Sequence, residues 1–258
     1  MANPHGFPIW YELLTKDAAA STAFYERVLG WTVKPSPVGA QHDYRQIDGA
    51  SGAVGGMLQL TDQMCSSGAR PTWLVYFGVD DVDAAVAKVV EHGGKVQLPA
   101  FDMPGVGRLA MVTDPQGIPF YVMRGASDGE SKAWERTGMG KCNWNELTTS
   151  DQRSANDFYA KVLGWTYPDK MAMPGGKDYV FVAVAGTTIG ATMESDDPKM
   201  PKAWSFYFRA PDIEKAVADI KEAGGTIHAG PMEVPGNDMV VVASDPHGVA
   251  FGVAAPKG

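Results

Sequence analysis

Alternation marks the first patterned stretch of the chain. Trp10, Glu12 and Leu14 fall on one side of an extended backbone, and Ile9, Tyr11 and Leu13 fall on the other. That is the period of two that a strand requires. At Asp17 the spacing changes. Phe24 and Val28 lie four apart, as do Tyr25 and Leu29, so both pairs can share one buried helical stripe. Asp17 offers a side-chain oxygen to the exposed amides of that helix, Gly30 ends it, and Trp31 opens the next extended segment. The chain then runs through Pro35, Pro37 and Gly39 into a short strand at Tyr44–Ile47. A second strand follows at Met57–Leu60, then a polar loop from Thr61 to Pro71. TWLVYFGV at 72–79 is a strong strand, rich in aromatic and β-branched residues. Asp81 starts a helix with Val82, Ala85, Val86, Val89 and Val90 on its apolar face, ended by Gly93 and Gly94. Three more strands are predicted, at Lys95–Leu98, Arg108–Thr113 and Ile118–Met123, the last two joined by an Asp-Pro-Gln-Gly turn at 114–117.

The pattern is then written again. WYELLTKDAAASTAFYERVLGW at 10–31 returns as WNELTTSDQRSANDFYAKVLGW at 144–165, an offset of 144 − 10 = 134, with eleven of twenty-two positions identical. TWLVYFGVDDVDAAV at 72–86 matches AWSFYFRAPDIEKAV at 203–217, and the DPQG turn matches DPHG at 245–248. A coarser repeat of strand, helix and three strands occurs twice within each copy. The chain is therefore expected to be an α+β protein of four βαβββ modules. Two domains are expected, at 1–126 and 141–258. The stretch 127–140, SDGESKAWERTGMG, has no apolar period and reads as the linker.

Composition narrows the function classes. Among 258 residues, 45% are apolar, yet no stretch is long or pure enough to cross a bilayer. The start, MANPHGFPIW, lacks the basic and apolar parts of a secretory signal, and Cys65 and Cys142 occupy non-matching positions. No disulfide framework is encoded, so a cytoplasmic location is expected. A net charge of −8, without clustered Lys or Arg, argues against nucleic acid as a partner. No HxH, HExxH, P-loop or Gly-x-Ser-x-Gly spacing occurs.

The duplicated set FYERVLGW and FYAKVLGW, VDDVDAAVAKVVEHGG and APDIEKAVADIKEAGG, and the DPQG and DPHG turns followed by Phe120 and Phe251, resembles the vicinal oxygen chelate superfamily. This superfamily includes glyoxalase I, extradiol dioxygenases, bleomycin-resistance proteins and fosfomycin-resistance enzymes. The paired W-x-E-L-x-T strands look most like its tandem glyoxalase-like branch. The resemblance implies cupped mixed sheets with external helices and ligand clefts inside. It also implies metal ligands at four inward strand positions. Carried across, these positions fall on Trp10, Gln59, Leu74 and Tyr121 in one copy, and on Trp144, Glu194, Ser205 and Gly252 in the other. Trp, Leu and Gly side chains supply no ligand atoms, and Tyr is not among the usual donors to a divalent ion. The expectation is therefore a protein with no metal and no cofactor.

Glu12 and Glu146 are the most pointed residues. Each follows a Trp by two positions and so shares its face, which the resemblance makes the cleft face. Each can act as a general base or orient a ligand; the alternative is a structural carboxylate bonded across a strand end. Glu194 is expected beside Glu146, with one proton shared between them, whereas Gln59 cannot do this for Glu12. Glu12, Glu146 and Glu194 are the catalytic candidates. Trp10, Gln59, Tyr76, Tyr121, Trp144 and Ser205 are the ligand-binding candidates, with Phe206 and Phe208 as further aromatic wall. Three functions stay open. One is metal-free binding of a small, partly aromatic or carbonyl-containing molecule. The second is a lyase, isomerase or oxygenase, metal-free or with an irregular metal site. The third is a protein-interaction role with vestigial clefts. Because both module pairs are covalently joined, a monomer with an internal pseudo-twofold axis is expected.

Overall fold

The computed structural model describes residues 3–36, 42–173, 175–198 and 200–257. Pro37 and Gly39, read above as leading into a strand, lie outside the described residues. The helix signals act as their positions predict. Asp17 Oδ1 accepts from Ala20 N at 2.9 Å at the start of α1 (Ala18–Leu29), which buries Phe24, Tyr25, Val28 and Leu29. Gly30 ends the helix at φ 65°, a left-handed conformation that costs glycine little.

The first module comprises β1 (Pro8–Thr15), α1, β2 (Thr32–Pro35), β3 (Tyr44–Gly49) and β4 (Gly52–Gln59). A short helix, α2 (Asp62–Ser66), replaces the expected polar loop; Thr61 Oγ1 caps it, and none of its residues is buried. The second module follows as β5 (Thr72–Gly78), α3 (Val82–Glu91), β6 (Lys95–Met103), β7 (Gly107–Thr113) and β8 (Pro119–Gly125). The third is β9 (Cys142–Thr149), α4 (Gln152–Leu163), β10 (Lys170–Ala172), β11 (Asp178–Val184) and β12 (Thr187–Glu194). The fourth is β13 (Ala203–Arg209), α5 (Ile213–Glu222), β14 (Thr226–Val234), β15 (Asp238–Ser244) and β16 (Ala250–Pro256). In every module the first and last strands pair in parallel. A parallel pair needs a crossover, and each module's helix belongs to it. Two curled, eight-stranded mixed sheets result, in the orders β2-β3-β4-β1-β5-β8-β7-β6 and β10-β11-β12-β9-β13-β16-β15-β14. The expected α+β architecture of four modules is therefore the observed one.

Packing divides the chain differently from the sheets. One compact unit holds Met1–Ile9, Leu74–Ser131 and Trp144–Trp204; the other holds Trp10–Trp73, Lys132–Asn143 and Ser205–Gly258. Each unit thus draws on both sequence copies, and the repeated motifs explain how. In the second unit Tyr25 Oη donates to Asp245 Oδ2 at 3.2 Å and accepts from Trp73 Nε1 at 3.1 Å, and its ring stacks on Trp31. In the first unit Tyr159 Oη donates to Asp114 Oδ2 at 3.4 Å and accepts from Trp204 Nε1 at 3.2 Å, and its ring stacks on Trp165. The aspartates of the two DP-x-G turns are thus core residues. Each also accepts two backbone amides of its own turn, from Gln116 and Ile118 or from His247 and Val249. Burial raises both carboxyl pKa values despite those donors.

The second unit also buries a bidentate ion pair, Arg209 to Asp238, with both N–O distances 2.9 Å. Part of the aperiodic stretch read as linker is firmly packed in that unit. Ala133 and Trp134 are buried, and Trp31 Nε1 donates to Gly140 O at 2.7 Å.

Candidate functional site

Strand register decides which predicted residues can meet. In the third module β9 pairs with β12 so that Glu146 lies opposite Ala191, and β12 pairs with β11 so that Ala191 lies opposite Phe181. Glu146, Ala191 and Phe181 therefore share one face. The opposite face carries Thr192, whose hydroxyl donates to Asn156 of α4. The Glu146 face is thus the one turned away from the helix. On it, Trp144 Nε1 donates to Tyr179 Oη at 2.7 Å, and Tyr179 Oη donates to Glu146 Oε2 at 2.7 Å. Phe181 meets both rings edge to face, at 6.0 Å from Trp144 and 5.8 Å from Tyr179. All four side chains are half-buried.

The first module builds the counterpart. Glu12 lies opposite Gly56, and Gly56 lies opposite Gln46. Trp10 Nε1 donates to Tyr44 Oη at 3.0 Å. Here the tyrosine lies down on the sheet: a Cβ added to Gly56 would sit 2.0 Å from Tyr44 Oη. Ala191 holds the matching place in the third module, since 191 − 56 = 179 − 44 = 135. Its methyl group forbids that pose, so Tyr179 must stand further off. Glu12 is only 4% exposed, whereas Glu146 is half-buried.

Glu194 and Gln59 require a correction. Glu194 lies opposite Thr149 and Gln59 opposite Thr15, three residues along from Glu146 and Glu12, and hence on the other face. There Glu194 Oε2 accepts from Gln152 N at 3.1 Å and Oε1 pairs with Lys177 at 3.0 Å. Gln59 Oε1 accepts from Ala18 N at 2.7 Å, and its amide nitrogen donates to Lys16 O. Both residues satisfy helix N-termini, a common need of unpaired first-turn amides. Glu146 and Glu194 therefore face apart.

Tyr76 and Tyr121 do meet. Register partners on β5 and β8, they stack at 4.2 Å and 11°, on the face away from the buried Phe77 and Phe120. Tyr121 continues to Met111 and Leu98 across the sheet, an apolar row without a charge. In the fourth module the corresponding row is Tyr207, Gly252, Val242 and Ala229. Tyr207 lies flat over Gly252, where a Cβ would come within 2.2 Å of its ring. Ser205 is half-buried, two residues before Tyr207. Phe206 and Phe208, expected in the aromatic wall, are fully buried against Tyr11 instead.

These positions do not fit the metal that the resemblance implies. Among the described residues no three His, Cys, Asp or Glu side chains converge. The four inward positions carry Trp, Leu, Tyr, Ser or Gly, and their remaining members, Gln59 and Glu194, are turned to helix ends.

Sequence reasoning missed Tyr44, Tyr179 and Phe181. A signal existed: Asp43-Tyr44 and Asp178-Tyr179 repeat at the same offset of 135, each at the start of a strand.

The comparisons agree with this architecture. The protein named "Putative glyoxylase CFP32" of Mycobacterium tuberculosis is 32% identical over 251 residues, covering 97% of this chain and 95% of CFP32. The anthracycline biosynthesis protein DnrV of Streptomyces peucetius is 31% identical over 263 residues, covering 96% of this chain and 92% of DnrV. Two solved structures share the fold at low identity. Homoprotocatechuate 2,3-dioxygenase from Brevibacterium fuscum matches with a TM-score of 0.67 and 16% identity, over 98% of this chain and 82% of that one. A mutant of 4-hydroxymandelate synthase from Streptomyces coelicolor matches with a TM-score of 0.64 and 18% identity, over 99% and 94%. The family model described as Glyoxalase/Bleomycin resistance protein/Dioxygenase superfamily matches twice, at residues 9–122 and 141–253, one match to each sequence copy. With both copies matched and the paired βαβββ modules in place, this chain belongs to that superfamily.

Proposed function

We propose that the chain binds a small organic molecule on its helix-free sheet faces, without a metal ion, acting as a cytoplasmic monomer. The observation that carries this reading is the Trp144–Tyr179–Glu146 chain of hydrogen bonds. It places a carboxylate, a phenol and an indole together on a half-buried face beside Phe181. Apolar walls with a few convergent polar groups are what small-molecule sites require. Trp10, Tyr44 and Glu12 supply a second, more closed version of the same set.

Calorimetric titration with a panel of small aromatic compounds tests the reading. Binding that is lost in the Trp144→Phe variant supports it; a panel without any binder refutes it. Elemental analysis of protein purified without chelator tests the metal-free part, and a stoichiometric, tightly held divalent ion would refute that part. Light scattering that gives a dimer across a wide dilution range would refute the monomer.

A second reading is favoured by one contact. The Tyr179 hydroxyl already points its proton at Glu146, a donor–acceptor pair suited to moving a proton on a bound molecule, as in a lyase or isomerase. Chromatographic recovery of the bound compound separates the two readings: unchanged compound means binding only, and a converted one means catalysis.

A further inference from the structure

Resting on the small-molecule reading, we infer that the helix-free face of the second module takes an uncharged, flat ligand of fused aromatic rings. Strand register lays this face out in rows. Tyr76, Tyr121, Met111 and Leu98 form one row, and Gly78, Met123, Leu109 and Phe101 form the next. Met103 follows, opposite Gly107. None of these side chains carries a charge. The charged residues of the same strands stand mostly at the other parity, toward the helix. Arg108, register partner of Asp102 and Arg124, donates to both carboxylate oxygens of Asp83 in α3 at 2.8 Å. Lys95 is the exception, one row beyond Leu98 at the start of β6 and exposed. The fourth module shows what these rows become when charge is admitted. There Arg209 stands for Gly78 and Asp238 for Gly107, the two form the buried ion pair, and Tyr207 lies down over Gly252. In the second module Tyr121 fills the place of Gly252. Tyr76 stands against it instead, with the two rings 4.2 Å apart and 11° from parallel.

The face is also within reach. Tyr121, Met111, Met123, Phe101 and Met103 are half-buried, and Leu98 is 40% exposed. Contiguous accessible apolar surface of this kind is characteristic of binding surfaces. Three features choose the occupant. With no charge in these rows to answer it, an ionised ligand would give up its water without return. Rings already stacked in parallel favour a further flat ring at their face or edge. Three methionines add flexible, polarisable contacts that mould to an aromatic system. Neighbouring strands lie about 4.8 Å apart, so the row from Tyr121 to Leu98 spans about 10 Å, room for two fused rings laid flat.

The test uses the full-length chain labelled at the methyl carbons of its thirteen methionines. The signals of Met103, Met111 and Met123 are assigned by their loss in Met103→Leu, Met111→Leu and Met123→Leu. Three probes of similar size separate the properties. The first, 2-naphthol, is flat and neutral; 2-naphthoate is flat and anionic; decahydro-2-naphthol is neutral but not flat. The first should shift the Met111 and Met123 signals and bind about tenfold more tightly than 2-naphthoate. It should bind about fivefold more tightly than decahydro-2-naphthol. Met111→Lys places a cation in the row and should reverse the preference between naphthol and naphthoate, which a loosened fold would not do. Tyr121→Leu is the second variant, expected to weaken 2-naphthol about fivefold, with the signals of methionines off this face reporting an intact fold. Equal or tighter binding of either other probe would overturn the inference. So would 2-naphthol that shifts only methionine signals away from this face, although a small-molecule site would then stand. If neither it nor any compound of the wider aromatic panel binds, the inference and the binding reading fall together.

Discussion

Set side by side, the first and third modules differ in what covers one glutamate. Both place a Trp, a Tyr and a Glu on the helix-free face of a four-stranded segment, with the same indole-to-phenol hydrogen bond. In the first, glycine at 56 lets Tyr44 settle onto the sheet, and Glu12 is buried. In the third, the methyl group of Ala191 holds Tyr179 away, Phe181 replaces Gln46, and Glu146 is only half-buried. The lesson is that duplicated side chains do not make duplicate sites. The residue beneath them decides whether the polar group is a core contact or is presented to solvent.

The comparison extends to the cores, where the largest effect is expected. Arg209 and Asp238 form their buried pair in one unit only, and Gly78 and Gly107 hold the corresponding places, since 209 − 78 = 238 − 107 = 131. Asp238→Ala would strand a buried guanidinium whose Nε already lacks a partner. Urea denaturation should show a loss of about 3–5 kcal/mol. A loss below about 1 kcal/mol would mean that water reaches the pair and that the asymmetry carries no weight.

Next come the shared tyrosines. Tyr25→Phe and Tyr159→Phe each leave a buried aspartate oxygen and a buried indole N–H without their partner. Each should cost about 1–3 kcal/mol in the same assay, and by nearly equal amounts. Clearly unequal values would break the equivalence of the two cores.

A smaller change should convert one face toward the other. Ala191→Gly removes the methyl group that holds Tyr179 off the sheet, so Glu146 should become more enclosed and affinity for an aromatic compound bound at this face should fall about threefold. Gln46→Phe supplies the ring that the first face lacks, with a gain of about 0.5–1 kcal/mol in the binding of an aromatic compound there. Calorimetric titration with the same panel of small aromatic compounds reads both. No change in either would assign the difference to something other than Ala191 and Phe181.

The smallest effect concerns pH. Burial raises the carboxyl pKa of Asp114 and Asp245, so the folded chain holds these protons more tightly than the unfolded chain. Their contribution to stability is complete below the ordinary carboxylate value of about 3.9 and is lost as pH rises through the folded value. Asparagine does not titrate. The double variant Asp114→Asn, Asp245→Asn should therefore show a shallower fall of Tm above about pH 4 than the parent, with each single variant giving half the change. A steeper fall would reverse the sign.

Much of the fold was legible because its signals are local. The aspartate caps, the glycine stops and the two periodicities lie within a few residues of the elements they set. The glutamates and tryptophans of the site were legible for the same reason, since parity along β1 and β9 puts each pair on one face. Tyr44 and Tyr179 were not. They reach the site across two strand pairings, and alternation within a strand does not fix the register between strands. Gln59 and Glu194 were misplaced by parity: a position one residue away faces the opposite side of the sheet. The helix α2 escaped because it buries nothing and so leaves no apolar period. Trp134 escaped because a single buried ring makes none either.

The exchange of pieces between the two compact units bears on what the chain can survive. A cut between residues 127 and 140 would part Tyr25 from Asp245 and Tyr159 from Asp114, since the members of each bond lie on opposite sides of it. Neither fragment would be a half-sized protein with a finished interior. Each would carry half of two interiors, with aromatic surface laid open, and could regain its shape only by finding the other fragment. Duplication followed by such an exchange makes the two copies obligate companions: each can drift in sequence at its cleft, but neither can be discarded.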